Sequence, residues 1–310
     1  MNIYQEDPYI IAWEKKANAY LTASPTDQRT VAFNGRFITY YKAGTTVGAM
    51  SAPKNVPDGS PMSWTSVNLA GLPATIQMKS LLPTEHAIYA LDGNGEVYAS
   101  NANGTDWSRI VTEHSVEAIY GILPSATDER ILLAVDDNGT PRFAVTDDFS
   151  ELRLMGTIHN NMPLWDFTST SVENPDSYAT RYIVLADGVR KDNTRNDAIW
   201  ILQEKDGEIT YISTPSNVSS IGSQLFYYDK RLYLMIASSG KNSFIYSGNF
   251  GLSWVAAEEN QAFPSDFTFR TNVSVVADDA NNIWIFGGIS STQTQLVDAW
   301  RGRLNKFSMN

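Results

Sequence analysis

RLYLMIASSGKNSFIYSGNFGLSW, residues Arg231 to Trp254, contains one structural unit in miniature. Two apolar runs rich in aromatic and β-branched residues, Arg231 to Ala237 and Ser243 to Ser247, flank a polar turn. A second polar turn then leads to Trp254. Runs of this length bounded by Gly, Asn and Ser are β-strands joined by tight turns. They are too short and too β-branched for the paired helices of a solenoid.

The first run of this unit recurs at Thr30 to Asn34, His86 to Asp92, Arg130 to Asp136, Arg181 to Ala186 and Asn282 to Phe286. Taking Val31, Ala87, Ile131, Tyr182, Leu232 and Ile283 as equivalent points gives spacings of about 56, 44, 51, 50 and 51 residues, in the range of propeller blades. A partner strand follows most of them, at Arg36 to Lys42, Glu96 to Ser100, Ala198 to Leu202 and Ser243 to Ser247. Thr75 to Leu82, Val116 to Leu123 and Asn272 to Asp278 supply inner strands. Trp64, Trp107 and Trp254, with Leu152 or Leu154 as an apolar substitute, anchor outer strands. The last unit runs out of chain after Trp300 to Leu304, and the unassigned run Tyr9 to Trp13 is expected to complete it. The reading is an all-β, six-bladed β-propeller of four-stranded antiparallel blades, one domain over residues 1–310, its last blade closed by an N-terminal strand. Such closure removes the open edge that invites aggregation.

Composition narrows the partners. With 43% apolar and 12% aromatic residues the chain can bury a large core. Its formal charge of -11 and lack of any long Lys or Arg run argue against nucleic acid. Without Cys there are no disulfides, thiolate metal sites or thiol nucleophiles. The start, Met1 to Asp7, carries Glu6 and Asp7 where a secretory signal needs basic and then apolar residues, which fits a cytoplasmic chain or an exported one trimmed of its leader. No window is apolar enough for a spanning helix, so no transmembrane segment is expected.

Two kinds of motif sit at blade spacing. Ser247, Asn249, Gly251 and Trp254 resemble the Asp-box hairpin of sialidase-like propellers with Asn for Asp; Ser100, Gly104 and Trp107 match it with Ala102 at the acidic place, and Thr146, Asp148 and Ser150 form a looser copy. A short polar side chain ties such a turn, Gly permits positive φ, and Trp covers the blade edge. Arg270, Gly287, Gly288 and Trp300 resemble a kelch unit, and the segment from Arg181 through Ala186, Asp187 and Gly188 to Trp200 looks like a degenerate second copy. The mixture, with the ending Trp300-Arg301-Gly302-Arg303-Leu304-Asn305, resembles a Bacteroidetes family of uncharacterised exported proteins with a C-terminal kelch and Asp-box propeller. That resemblance implies a periplasmic or cell-surface location and a separate N-terminal region upstream of the propeller.

No catalytic set is legible, which leans against an enzyme. A sialidase needs clustered arginines, a Tyr nucleophile with Glu, and an acidic donor; no early Arg-Ile-Pro segment is present. Galactose-oxidase-like chemistry is excluded with its Cys cross-link. His86, His114 and His159 are scattered, so neither a metal nor another cofactor is expected. Ligands of propellers sit where loops leading into inner strands meet those joining second to third strands. There, Pro163-Leu-Trp165-Asp166-Phe167-Thr168 and Pro264-Ser-Asp266-Phe267-Thr268 look alike. Trp165, Asp166 and Asp266 are therefore ligand-binding candidates, although Pro and Asp also simply make turns and Phe packs between blades. The loop from Asp187 to Asp197 adds Arg190, Lys191 and Arg195, a basic exception suited to a carboxylate unless it is merely solvated. Asn103 and Asn138 begin glycosylation-type triplets whose turn chemistry already explains them. The expected function is noncatalytic binding of a glycan or protein partner. The alternatives are a carbohydrate-active enzyme, a glycoside hydrolase or lyase with its site on the channel face, and a purely structural module.

Overall fold

The computed structural model describes residues 9–21, 24–124, 129–173, 181–215, 222–249, 251–257, 261–278 and 282–306. Six four-stranded antiparallel blades form a closed ring, a six-bladed β-propeller. Its inner strands are β2 (Asp27–Phe33), β6 (Met78–Pro83), β10 (Ser115–Pro124), β14 (Trp165–Glu173), β18 (Gln224–Tyr228) and β23 (Ser274–Ala277). The second strands are β3 (Arg36–Ala43), β7 (Ile88–Asp92), β11 (Glu129–Asp137), β15 (Arg181–Val189), β19 (Arg231–Ser238) and β24 (Asn282–Phe286). In third place come β4 (Thr46–Pro53), β8 (Val97–Ser100), β12 (Thr140–Thr146), β16 (Ala198–Lys205), β20 (Lys241–Ser247) and β26 (Ala299–Lys306). The outer strands are β5 (Thr65–Val67), β9 (Trp107–Ile110), β13 (Arg153–Thr157), β17 (Glu208–Pro215), β21 (Val255–Ala256) and β1 (Tyr9–Ala17). A two-stranded ribbon, β22 (Arg270–Thr271) with β25 (Ile289–Ser290), caps the sixth blade.

The second strands dominate the sequence pattern for a packing reason. Each is covered on both faces by neighbouring blades, so Ile131 to Val135 and Ile183 to Ala186 are all fully buried and read as continuous apolar runs. The hydrophobic core is divided into six wedges, one between each consecutive pair of blades. The wedge holding Phe37, Val56, Trp284 and Phe286 joins the sixth blade to the first.

The first unit departs from expectation. Thr30 to Asn34 belongs to an inner strand, and Arg36 to Lys42 is the second strand rather than the third. Both flank the Asn34-Gly35 turn, both are apolar, and local composition does not tell an inner strand from its neighbour. With Phe37 as the reference, the first interval shortens from about 56 to about 50 residues (87 − 37), in line with the last three.

The N-terminal strand closes the ring as expected. β1 pairs antiparallel with β26, Trp13 opposite Gly302 and Lys15 opposite Trp300. Trp13 lies across residue 302, where a Cβ would stand 2.8 Å from its ring, so glycine is required there. The loop after β4 straps this seam: Lys16, its side chain fully buried, donates to the carbonyls of Pro57 (2.9 Å) and Ser60 (3.0 Å). Arg301 donates to Val56 O, Glu14 and Asp58.

Candidate ligand-binding site at the channel mouth

Loops leading into the inner strands meet the second-to-third-strand loops around one end of the central channel. The mouth encloses about 460 Å³ and continues into a channel volume of about 440 Å³; Arg29, Lys79, Asp166, Phe167 and Gln224 line both.

Two second-to-third-strand loops shape this face, and they are built alike. Gly188 and Gly288 have φ of 94° and 99°, Asp187 and Gly287 of 59° and 60°, Asn193 and Gln293 of 62° and 60°. Asn196 N donates to Gly188 O and Leu296 N to Gly288 O, each at 2.8 Å. A shift of 100 residues thus relates the loops, ending at Trp200 and Trp300. The sixth-blade copy is pinned by charge. Arg270, fully buried, donates to Asp298 (2.5 and 3.1 Å) and to Gly287 O (3.0 Å), while Trp300 Nε1 donates to Asp298 (2.9 Å). In the fourth blade the strand register puts Leu164, not Arg181, at the place of Arg270, and Ala198 at that of Asp298. There Trp200 Nε1 donates to the buried Asn196 instead, at 3.0 Å.

The turns before Trp107 and Trp254 are tied by asparagine. Asn249 Oδ1 accepts from Ser253 N (2.9 Å), and Ser247 Oγ accepts from Gly251 N (2.8 Å). In the other turn Asn101, one position earlier than expected, accepts from Thr105 N (3.0 Å), so Ala102 has no such task. Gly104 packs so closely under Tyr40 and Ile38 that a Cβ would meet them within 3 Å.

The candidate residues separate. Asp166 lies at the mouth, exposed, with φ of 52° opposite Gly188. The register makes Asn272, also at 52° and opposite Gly288, its counterpart. Asp266 is not. It sits exposed in the Pro264–Phe267 turn, apart from the residues lining the mouth, and its neighbour Phe267 stacks on Phe263 and lies under Arg270. The resemblance between the two Pro-containing segments is one of local turn chemistry, whereas strand pairing sets the real equivalence. Trp165 is half-buried in the channel wall with the Lys79 ammonium 5.4 Å from its ring centroid. Arg195 lines the mouth and pairs with Asp187 at 3.1 Å. Asp187 also accepts from Gly222 N at 2.8 Å, linking the fourth blade to the fifth. Arg190 is drawn away to Asp197 and Asn161 O, and Lys191 to Gly139 O.

Among the lining residues that escape sequence reasoning are Arg29, Lys79, Gln224 and Asn272. Each is one polar residue at or beside the start of an inner strand, with no motif around it. Arg29 Nε donates to Met78 O (3.0 Å) and Lys79 Nζ to Glu117 O (2.6 Å). Burial lowers the Lys79 pKa, against the raising influence of Glu117, Asp166 and Asp92. Burial raises the Glu117 carboxyl, with Lys191 opposing. Among the described residues no three His, Asp or Glu side chains converge to hold a metal ion, and no helix is long and apolar enough to cross a membrane.

No curated protein matches the sequence. Among solved structures, the "Structure of YjhT" is similar over 90% of this chain and 95% of that one, with a TM-score of 0.59 at 11% identity, a likeness of fold alone. A family model described as the DUF6242 beta propeller domain matches residues 7–310, and the chain belongs to that family.

Proposed function

We infer that this chain is a noncatalytic binding propeller that takes a hydroxyl-rich ligand, a glycan, at the channel mouth. The observation that carries this reading is the set of uncommitted polar side chains there. Asp166, Asn193, Gln224 and Asn272 make no side-chain hydrogen bond among the described residues, and they surround a channel walled in part by Trp165. Amide and carboxylate groups at the mouth, with a half-buried indole in the adjoining channel wall, suit a ligand with alternating hydroxyls and C–H faces. Asp187, the buried carboxylate of the mouth, is engaged by Arg195 and Gly222, which suits a strut better than an acid or base.

The polar turn ending at Trp254 is read as an Asp-box with Asn in the acidic place, and the Arg270–Trp300 unit as kelch-like; their hydrogen bonds support both readings. Location outside the cytoplasm rests on the resemblance of the C-terminal stretch, and cell fractionation tests it.

Glycan-array binding by wild type and Trp165→Ala tests the main reading. Loss of the indole is expected to weaken binding about tenfold, the equivalent of roughly 1.4 kcal/mol. Binding unaffected by the substitution overturns the aromatic contact, absence of any glycan binding moves the function to a protein partner, and release of cleaved product favours the carbohydrate-active enzyme.

A further inference from the structure

We propose that Arg29 and Lys79 form an anion subsite in the channel mouth that takes the carboxylate of an acidic saccharide. This deepens the glycan-binding reading and rests on it. The two cations stand on adjacent inner strands, and Arg29 Nε donates to the carbonyl of Met78, the residue before Lys79. Both line the mouth and the channel below it. Neither forms an ion pair among the described residues. Lys16, Arg190, Arg195, Arg270 and Arg301 are all paired with carboxylates.

A half-buried ammonium with no direct ion pair, only the more distant carboxylates Glu117, Asp166 and Asp92 around it, carries a desolvation cost that a bound anion offsets. The direction of the Lys79 shift is that of such a group. The guanidinium supplies a planar fork for a carboxylate, and the ammonium adds a point charge in the same volume. Asp27, Asp166 and Asp187 line the same mouth, so a ligand with one negative charge is tolerated better than a dianionic phosphate. Because the Lys79 ammonium sits 5.4 Å from the Trp165 centroid, an anion held there brings the body of its ligand within reach of the indole and of Gln224 and Asn272.

The test is an array displaying uronate- and other carboxylate-bearing oligosaccharides beside the same glycans as neutral methyl esters, with sulfated and phosphorylated glycans included. Wild type is expected to prefer acid over ester by about tenfold or more, the order of one charge-assisted contact. Arg29→Gln and Lys79→Met are each expected to abolish that preference, whereas Lys79→Arg retains it. Thermal melting alongside wild type identifies folded variants. Equal binding of acid and ester by wild type overturns the anion subsite while leaving glycan binding intact. An acid preference that survives both substitutions also overturns it, as does stronger binding of phosphorylated or sulfated glycans. No binding anywhere on the array overturns the subsite and the glycan reading together.

Discussion

Arg270 and Asp298 form a bidentate ion pair shut off from water, and the chain contains its own control for that arrangement. In the fourth blade Leu164 and Ala198 occupy the equivalent places, and Asn196 takes over the Trp indole. Arg270→Leu alone should destabilise the protein by about 3–5 kcal/mol, because Asp298 keeps a buried charge with its main partner removed. The triple variant Arg270→Leu, Asp298→Ala, Leu296→Asn, which transplants the fourth-blade solution, should recover most of that loss; urea unfolding of the two variants decides it. Glycines divide in a similar way. Gly139, φ 87°, has nothing within 4 Å of the place a Cβ would take, so Gly139→Ala should cost only the backbone strain of about 1–2 kcal/mol. At Gly288, φ 99°, the added carbon would stand 2.7 Å from Val273 and 2.8 Å from Thr271 O, and the same substitution should cost at least about 1 kcal/mol more in the same unfolding measurement. Such residues are legible because a motif records a backbone requirement at a fixed offset. Arg29 and Lys79 are illegible because nothing near them in the chain requires them; their meaning comes from a neighbouring blade.

Elements are legible in proportion to how completely they are buried. Second strands, enclosed on both faces, stand out as apolar runs, while the two-residue β21 and three-residue β5 are marked only by the Trp before them. The slip in the first unit shows the limit: hairpin partners of similar composition are told apart only by which one lines the channel. The seam that joins β1 to the strap after β4 makes an element-level prediction in pH. Burial alone would raise the Glu14 carboxyl, but hydrogen bonds from Lys16 and Arg301 outweigh it and hold it below its usual 4.5. The Arg303 hydrogen bond, opposed by desolvation and reinforced by Arg301, holds Asp58 below 3.8. A carboxyl whose folded pKa is depressed contributes stability above its unfolded pKa and loses it as pH falls through the folded value. Melting temperature should therefore fall more steeply below about pH 4.5 in wild type than in Glu14→Gln/Asp58→Asn. The variant should be less stable at pH 7, with the gap to wild type narrowing as pH falls below about 4.5; parallel curves would show that these two carboxylates do not stabilise the seam.

At the scale of the whole molecule, six hydrophobic wedges replace a single central core, so each blade is stable only between two neighbours. Removing residues 1–17 should expose the hydrogen-bonding edge of β26 and strip Ile11 and Trp13 from the wedge between the fifth and sixth blades. The expected outcome is aggregation by light scattering and a lower melting temperature, and a monomer as stable as the parent would show that β1 does not close the ring. Strand length, turn chemistry, the period of about fifty residues and even the pairing of Tyr9–Trp13 with the C-terminal strand could be read from the chain alone, because each reflects local backbone preference or an edge that must be covered. The face on which the inner-strand entry loops and the second-to-third-strand loops meet could be located in the same way, but not its composition. Asp266 fell away and Asn272 took the place facing Asp166, Arg190 turned to Asp197, and Arg29 came beside Lys79 across some fifty residues of chain, because strand register and ring closure decide which side chains share a volume.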